Sequence, residues 1–371
     1  VLRARLKDAD FFFKEDRKIP LADRVPKLRG IIFQERLGTM LDKVERLQQL
    51  VAYLSGRIAP ELTHDAQRAA QLCKADLVTT MVKEFPNLQG TMGREYAKLS
   101  GESPAVGHAI EEHYLPRFAG DRLPESLCGA IVGLADRIDS ICGCFGIGLI
   151  PSGSEDPYAL RRLGQGVVQV LLAHGIDLPL SDPVGKSLDL FGDRLTRPKE
   201  RAARDVVEFL EARLQATLIE RGIPSDLVDA ALSVNVERVA EAGRRAEALA
   251  AFRHEADFGE LTVAFKRVVN IIPEGFFKPA EPGRFVTSAE RALHGEAANL
   301  KAQTEDLIRE GDYLRALQRI AAIRPIVDMF FEEVLVMTED RDLQENRLAL
   351  LKGVADLFSG IADFNKISVS S

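Results

Sequence analysis

The run GLADRID, residues 133–139, puts two carboxylates, Asp136 and Asp139, on one face of a segment whose other face is apolar. Carboxylates on a helix do chemistry when neutral imidazoles from neighbouring helices join them around a divalent ion. The chain has only six histidines. His64 precedes Asp65 in PELTHDAQRA, which reads as a polar helix start beside Pro60. His108 and His113 are five apart and poorly placed to share a helical face. His174, His254 and His294 stand alone. Other chemistry is absent from the pattern. No GxxxxGK[ST] occurs, and no GxGxxG opens a helix after a strand. GCFGIG follows a helix and lacks a basic partner. No local spacing suggests a Ser-His-Asp or Cys-His arrangement. Cys73, Cys128, Cys142 and Cys144 form no CxxC pair and read as small buried residues in a reducing compartment. The pairs Glu111-Glu112 and Glu332-Glu333 read as solvated helix faces.

GLADRID resembles the last metal-ligand motif of the HD superfamily of phosphohydrolases, in which a His, a His-Asp pair and a distant Asp hold the metal. By that resemblance Asp136 is the final ligand. LCKADL, residues 72–77, stands where the His-Asp pair belongs, with Lys74, Ala75 and Asp76 instead. No histidine precedes His64, and Asp42-Lys43 occupies the helix where the first ligand is sought. A lysine beside a dication is repulsive. The expectation is a degenerate HD-like motif (Lys74, Asp76, Asp136), with no metal and no catalytic residue. A metal-dependent phosphohydrolase is the alternative.

The elements that position these residues are helical throughout, so the expected fold class is all-α. Leu41, Val44, Leu47 and Val51 repeat at helical spacing, as do Leu77, Val78, Met81, Val82 and Phe85 up to Pro86. Ile131, Leu134, Ala135, Ile138, Cys142 and Phe145 mark a long helix. Asp156-Pro157 reads as an N-cap and first-turn pair, with a stop at Gly175. A later helix ends at Gly222, and Ser225 is expected to cap the next. Five or six more helical segments follow from about Asn235, and a short strand could hide in GRFVTS. With 371 residues, two to three domains are expected. The expected division is 1–36 (tail of a truncated upstream module), 37–175 (HD-like helical domain), 176–239 (helical linker region) and 240–371 (a further helical bundle). The net charge of -7 argues against nucleic-acid binding through global charge but leaves room for a local basic face. No run of about 18 apolar residues signals a membrane helix. The opening VLRARLKDADFFF is not a signal peptide; it begins with Val and reads as mid-element sequence, so a fragment is expected.

KADLVTTMVKEFPNLQGTMGREYA, EHYLPRF, GLADRIDSICGCFGIG and SGSEDPYALRR, in that order, closely resemble the C-terminal half of the β-subunit of bacterial tetrameric glycyl-tRNA synthetase. FKRVVNII and FFEEVLVMTEDRDLQENRLALL extend the likeness. The resemblance implies a cytoplasmic α2β2 enzyme whose α-subunit joins ATP (with Mg) and glycine, and whose β-subunit binds and positions tRNA-Gly. It implies an HD-like domain followed by an anticodon-binding helical bundle, with no cofactor bound by this region. A purely structural subunit that docks the α-subunit is a further alternative. In ELTVAFKRVVNII, Leu261, Phe265, Val268 and Ile272 form an apolar stripe, while Lys266, Arg267 and Asn270 lie together on a different face. Lys and Arg can neutralise phosphates and Asn can read an unstacked base. Arg161 and Arg162 are further tRNA candidates, or partners of nearby carboxylates. Lys83, Arg94 and Arg117 are weaker ones, and Arg347 is expected to cap or pair internally.

Overall fold

The computed structural model describes residues 2–256 and 258–368. The fold is all-α, with one short hairpin. Residues pack into two compact units that divide between Thr217 and Leu218. The first unit holds α1 (Leu2–Asp16), the hairpin strands β1 (Ile32–Gln34) and β2 (Gly38–Thr39), α2 (Met40–Ile58), α3 (Thr63–Leu72), α4 (Thr80–Glu84), α5 (Thr91–Leu99), α6 (Pro104–Glu112), α7 (Leu127–Gly146), α8 (Leu160–Ala173) and α9 (Ser181–Phe191). α10 (Lys199–Glu220) runs across the division. The second unit holds α11 (Ser225–Leu232), α12 (Val239–Phe252), α13 (Phe258–Ile271), α14 (Ser288–Glu310), α15 (Tyr313–Ala321), α16 (Arg324–Glu333) and α17 (Arg341–Ser359).

α7 is the axis of the first unit and packs against α2, α3, α6, α8 and α9. Almost every residue from Cys128 to Gly146 is buried, so this helix is surrounded rather than amphipathic. Close approach depends on small residues. A Cβ at Gly133 would lie 3.0 Å from the backbone oxygen of His113, tighter than ordinary contact, so glycine lets the end of α6 settle there without displacement. α2 begins with a capping box, in which Thr39 and Asp42 satisfy each other's backbone N–H groups. Its stripe of Val44, Leu47, Leu50, Val51 and Leu54 is buried.

Residues 1–36 are tied into this unit. Asp16 at the end of α1 accepts from the Thr80 and Met81 amides at 3.0 and 2.8 Å, capping α4. The segment expected to run as one helix from Leu77 to Phe85 is broken at Thr79. The Thr79 hydroxyl accepts from Val82 N and starts α4 anew after a 3-10 turn. Asp156 does cap α8, but from four residues ahead: its carboxylate accepts from Leu160 and Arg161 amides at 2.7 and 3.0 Å, and Pro157 precedes the helix. Ser225 is the first residue of α11, and no side chain caps that end. GRFVTS contains no strand; the hairpin lies at 32–39 instead. Glu112 is buried, not solvated, and accepts from the Glu125 and Ser126 amides at 3.2 and 3.1 Å. All four cysteines are free and buried.

In the second unit α14 packs on α15, α16 and α17, and α13 packs on α16 and α17. Phe265 stacks on Phe358 and Phe364 meets both edge-on, with centroids 4.1 to 5.2 Å apart. Arg347 pairs internally: its Nε donates to the fully buried Glu290 carboxylate at 2.7 Å. Among the described residues, no helix is long and apolar enough to cross a membrane.

Candidate functional site

Asp136 and Asp139 of α7 face Lys43 and Arg46 of α2 across a buried seam. Lys43 Nζ lies 3.0 Å from Asp136 Oδ1 and 2.9 Å from Asp139 Oδ2, and donates to Ser140 Oγ at 2.9 Å. Arg46 grips Asp139 bidentately, at 2.7 and 3.1 Å. Lys74, just after α3, donates to Asp136 Oδ2 at 2.7 Å and faces His113 Nε2 at 2.8 Å. Each cation also has an aromatic face beside it. Lys43 stands 4.6 Å from the Phe33 centroid, Arg46 4.1 Å from Phe191, and Lys74 4.3 Å from Tyr114.

Protonation follows from these contacts. Burial opposes ionisation of Asp136, but the Lys43 and Lys74 ammoniums outweigh it and hold its carboxyl well below the usual range. Burial, reinforced by Lys74, pushes the His113 imidazole well below 6.5. His113 is therefore neutral, with Nδ1–H donating to Ile110 O at 2.6 Å and Nε2 accepting from Lys74. Burial pushes the Cys73 thiol up to about 12, so it is no nucleophile at neutral pH.

The cluster brings Lys74 and Asp136 together, as their motif suggested, but gives Asp76 another task. Asp76 Oδ2 accepts from the Gly90 and Gly93 amides at 2.7 and 3.1 Å and anchors the start of α5. A dication at Asp136 would meet two ammoniums within 3.0 Å of its oxygens. Among the described residues, no group of three or more His, Cys, Asp or Glu is arranged to hold a metal. His113 is absorbed as Lys74's acceptor, while His108 is exposed. Arg46 went unremarked in the sequence, although Lys43 and Arg46 interrupt the buried stripe of α2 at a spacing of three. Charges on a buried stripe were the available signal.

Neutral His113 predicts a pH dependence. An unfolded histidine titrates near 6.5 and the folded one well below. In between, the unfolded chain binds the extra proton. The His113 contribution is therefore complete above about pH 6.5 and is lost as pH falls, at up to about 1.4 kcal/mol per pH unit. His113→Gln removes this component. In urea denaturation between pH 6.5 and 5, the wild type should lose stability faster than the variant. Asp76, raised from 3.8 to about 6 by burial, has the opposite slope between those values, and it is present in both proteins.

A second site lies on the outer face of α13. Arg267 and Asn270 are exposed and Lys266 is half-buried, adjacent at spacings of three and four. Arg267 stacks its guanidinium 4.0 Å from the Phe331 centroid. No described residue takes a hydrogen bond or ion pair from Lys266, Arg267 or Asn270. Arg161 is used internally, donating to Gly153 O at 2.8 Å and closing the loop ahead of α8. Arg162 is exposed and lines a cavity with Asp136.

The first unit thus closes Asp136 and Asp139 with its own lysines and Arg46, and the second unit carries a helix face of donors that no described residue uses. The family model described as glycyl-tRNA synthetase beta subunit matches residues 1–233, and the chain belongs to that family. It is 49% identical over 368 residues to the glycine–tRNA ligase beta subunits of Citrifermentans bemidjiense and of Geobacter sp. (strain M21), covering 99% of this chain and 53% of each relative. The beta subunit of Trichlorobacter lovleyi is 48% identical over the same length. The chain thus spans about half the length of the curated relatives it matches.

Proposed function

We propose that this chain is the tRNA-contacting, non-catalytic part of a glycyl-tRNA synthetase β-subunit, acting in the cytoplasm. In this reading it positions tRNA-Gly for glycylation at an α-subunit that uses ATP and Mg, and it binds no cofactor itself. The first unit is an HD-like scaffold locked by its ion cluster, and the second is an anticodon-binding-like bundle. The observation that carries the RNA contact is the α13 face, where Lys266, Arg267 and Asn270 present donors with no internal partner among the described residues. Such donors suit an unstacked RNA loop, in which cations meet phosphates and an amide meets base edges. Family membership makes tRNA the polymer of choice.

Filter binding of tRNA-Gly and a non-cognate tRNA across several salt concentrations tests this. The expected result is tighter binding of tRNA-Gly, with affinity falling steeply as salt rises. Equal affinity for both tRNAs at every salt concentration would remove the specific-recognition role.

A further inference from the structure

A cavity of about 220 Å3 in the first unit opens beside the ion cluster, lined by Gln89, Tyr114, Arg117, Asp136, Arg137 and Arg162 among others. Its charge is the reverse of the chain's net -7. Three arginines face one carboxylate, and that carboxylate is already countered by Lys43 and Lys74. Arg137 spends both Nη atoms on the protein, donating to the His113, Gly133, Tyr114 and Pro116 carbonyls at 3.0 to 3.2 Å. It contributes chiefly field to the cavity.

Arg117 and Arg162 differ from it. Arg117 Nη2 donates to Gln89 O at 3.1 Å, but its Nε is buried with no acceptor. A buried N–H without an acceptor is uncommon and calls for a partner that the protein does not supply. Arg162 is exposed, and no described residue pairs with it. A water could satisfy Arg117 Nε, but it would leave the excess positive charge unanswered; an anion answers both. Pockets for drug-sized ligands run to roughly 300–1,000 Å3. This smaller volume suits one phosphate group and not a whole nucleotide. Planar guanidiniums match phosphate oxygens bidentately.

We propose that this cavity is a phosphate-group site, with Arg117 and Arg162 as its donors. The phosphate belongs either to an RNA strand crossing the mouth or to a free phosphate-bearing molecule, and the chemistry of recognition is the same. The site does not rest on the α13 reading, because its first test contains no RNA. Inorganic phosphate is titrated calorimetrically into this chain at constant ionic strength in chloride, with Arg162→Gln and Arg117→Lys alongside. Arg162 is exposed, so its variant keeps the fold; Arg117→Lys keeps the charge and loses the planar fork. The expected result is saturable phosphate binding that weakens roughly tenfold or more in each variant. No phosphate binding above the chloride background, or equal affinity in wild type and both variants, overturns the proposal. The source is then read from the salt dependence of tRNA binding. A slope shallower by about 0.7–0.9 in Arg162→Gln assigns the site to an RNA phosphate. An unchanged slope beside weakened phosphate binding assigns it to a free phosphate-bearing ligand.

Discussion

Asp139→Asn should destabilise the first unit by about 3–5 kcal/mol, the range for breaking a buried ion pair from one side. Asp139 is 1% exposed and receives Arg46 through two bonds and Lys43 through a third. An asparagine fills the same space but withdraws the charge. The asparagine oxygen can accept only one of the two Arg46 bonds, and Arg46 is left with no anionic partner, only that bond, the long contact to Leu37 O at 3.4 Å and its stack on Phe191. A guanidinium cannot escape by losing its proton, so the cost appears in full. Urea denaturation at pH 7, followed by circular dichroism, measures it. A change under about 1 kcal/mol would mean that water reaches the seam between α2 and α7.

Lys74→Met is the second large effect, expected to cost about 3 kcal/mol. This is the low end of the same range, because Lys43 remains beside Asp136. The variant strips Asp136 of its 2.7 Å partner and leaves the His113 Nε2 lone pair buried without a donor. The compensating variant is the more informative one. Lys74→Met combined with Asp136→Leu removes both charges, and replacement of a buried pair by apolar residues is often neutral or stabilising. The double variant should therefore recover the part of the loss that the uncompensated Asp136 carries, while the His113 Nε2 lone pair stays without a donor. A double variant as unstable as Lys74→Met alone would show that Asp136 has further partners to satisfy. Because 16% of the Asp136 side chain is exposed, its stability effects should fall below those of Asp139.

Much of this was legible in the residues. Apolar spacing marked α7, and glycines marked the ends of α8 and α10. Ligand accounting around GLADRID already set Lys43 and Lys74 against a metal at Asp136, and both lysines do face it. What periodicity could not reveal was depth. Glu112 reads as a solvated position, and nothing marks Asp139 as buried, because a pattern records which face a charge occupies, not what covers it. α7 is surrounded on all sides, so its polar face is also interior. Short-range geometry was lost for a different reason. Strands of three and two residues carry too little alternation to detect, yet β1 places Phe33 over Lys43. Thr79 breaks an apolar run that looks continuous because its hydroxyl serves the next helix better than its backbone serves the previous one. Arg161 and Arg162 are adjacent in sequence, yet one closes a loop and the other lines a cavity. Only the path of the SGSEDP loop separates them.

RNA is expected to meet the outer face of α13, and one titration tests this most directly. Fluorescence anisotropy of labelled tRNA-Gly is measured against this chain and against Lys266→Ala/Arg267→Ala, from low to moderate salt. The removed groups hold no hydrogen bond or ion pair with a described residue, and losing the exposed Arg267 stack on Phe331 costs about 0.5–1 kcal/mol, so the thermal midpoint should move only modestly. If the face meets phosphates, the double variant binds more weakly at low salt. Its log–log salt slope is then shallower by about 1.4 to 1.8, one increment for each phosphate that is no longer neutralised. Identical affinity and identical slope in the two proteins would contradict this placement and move the RNA surface elsewhere.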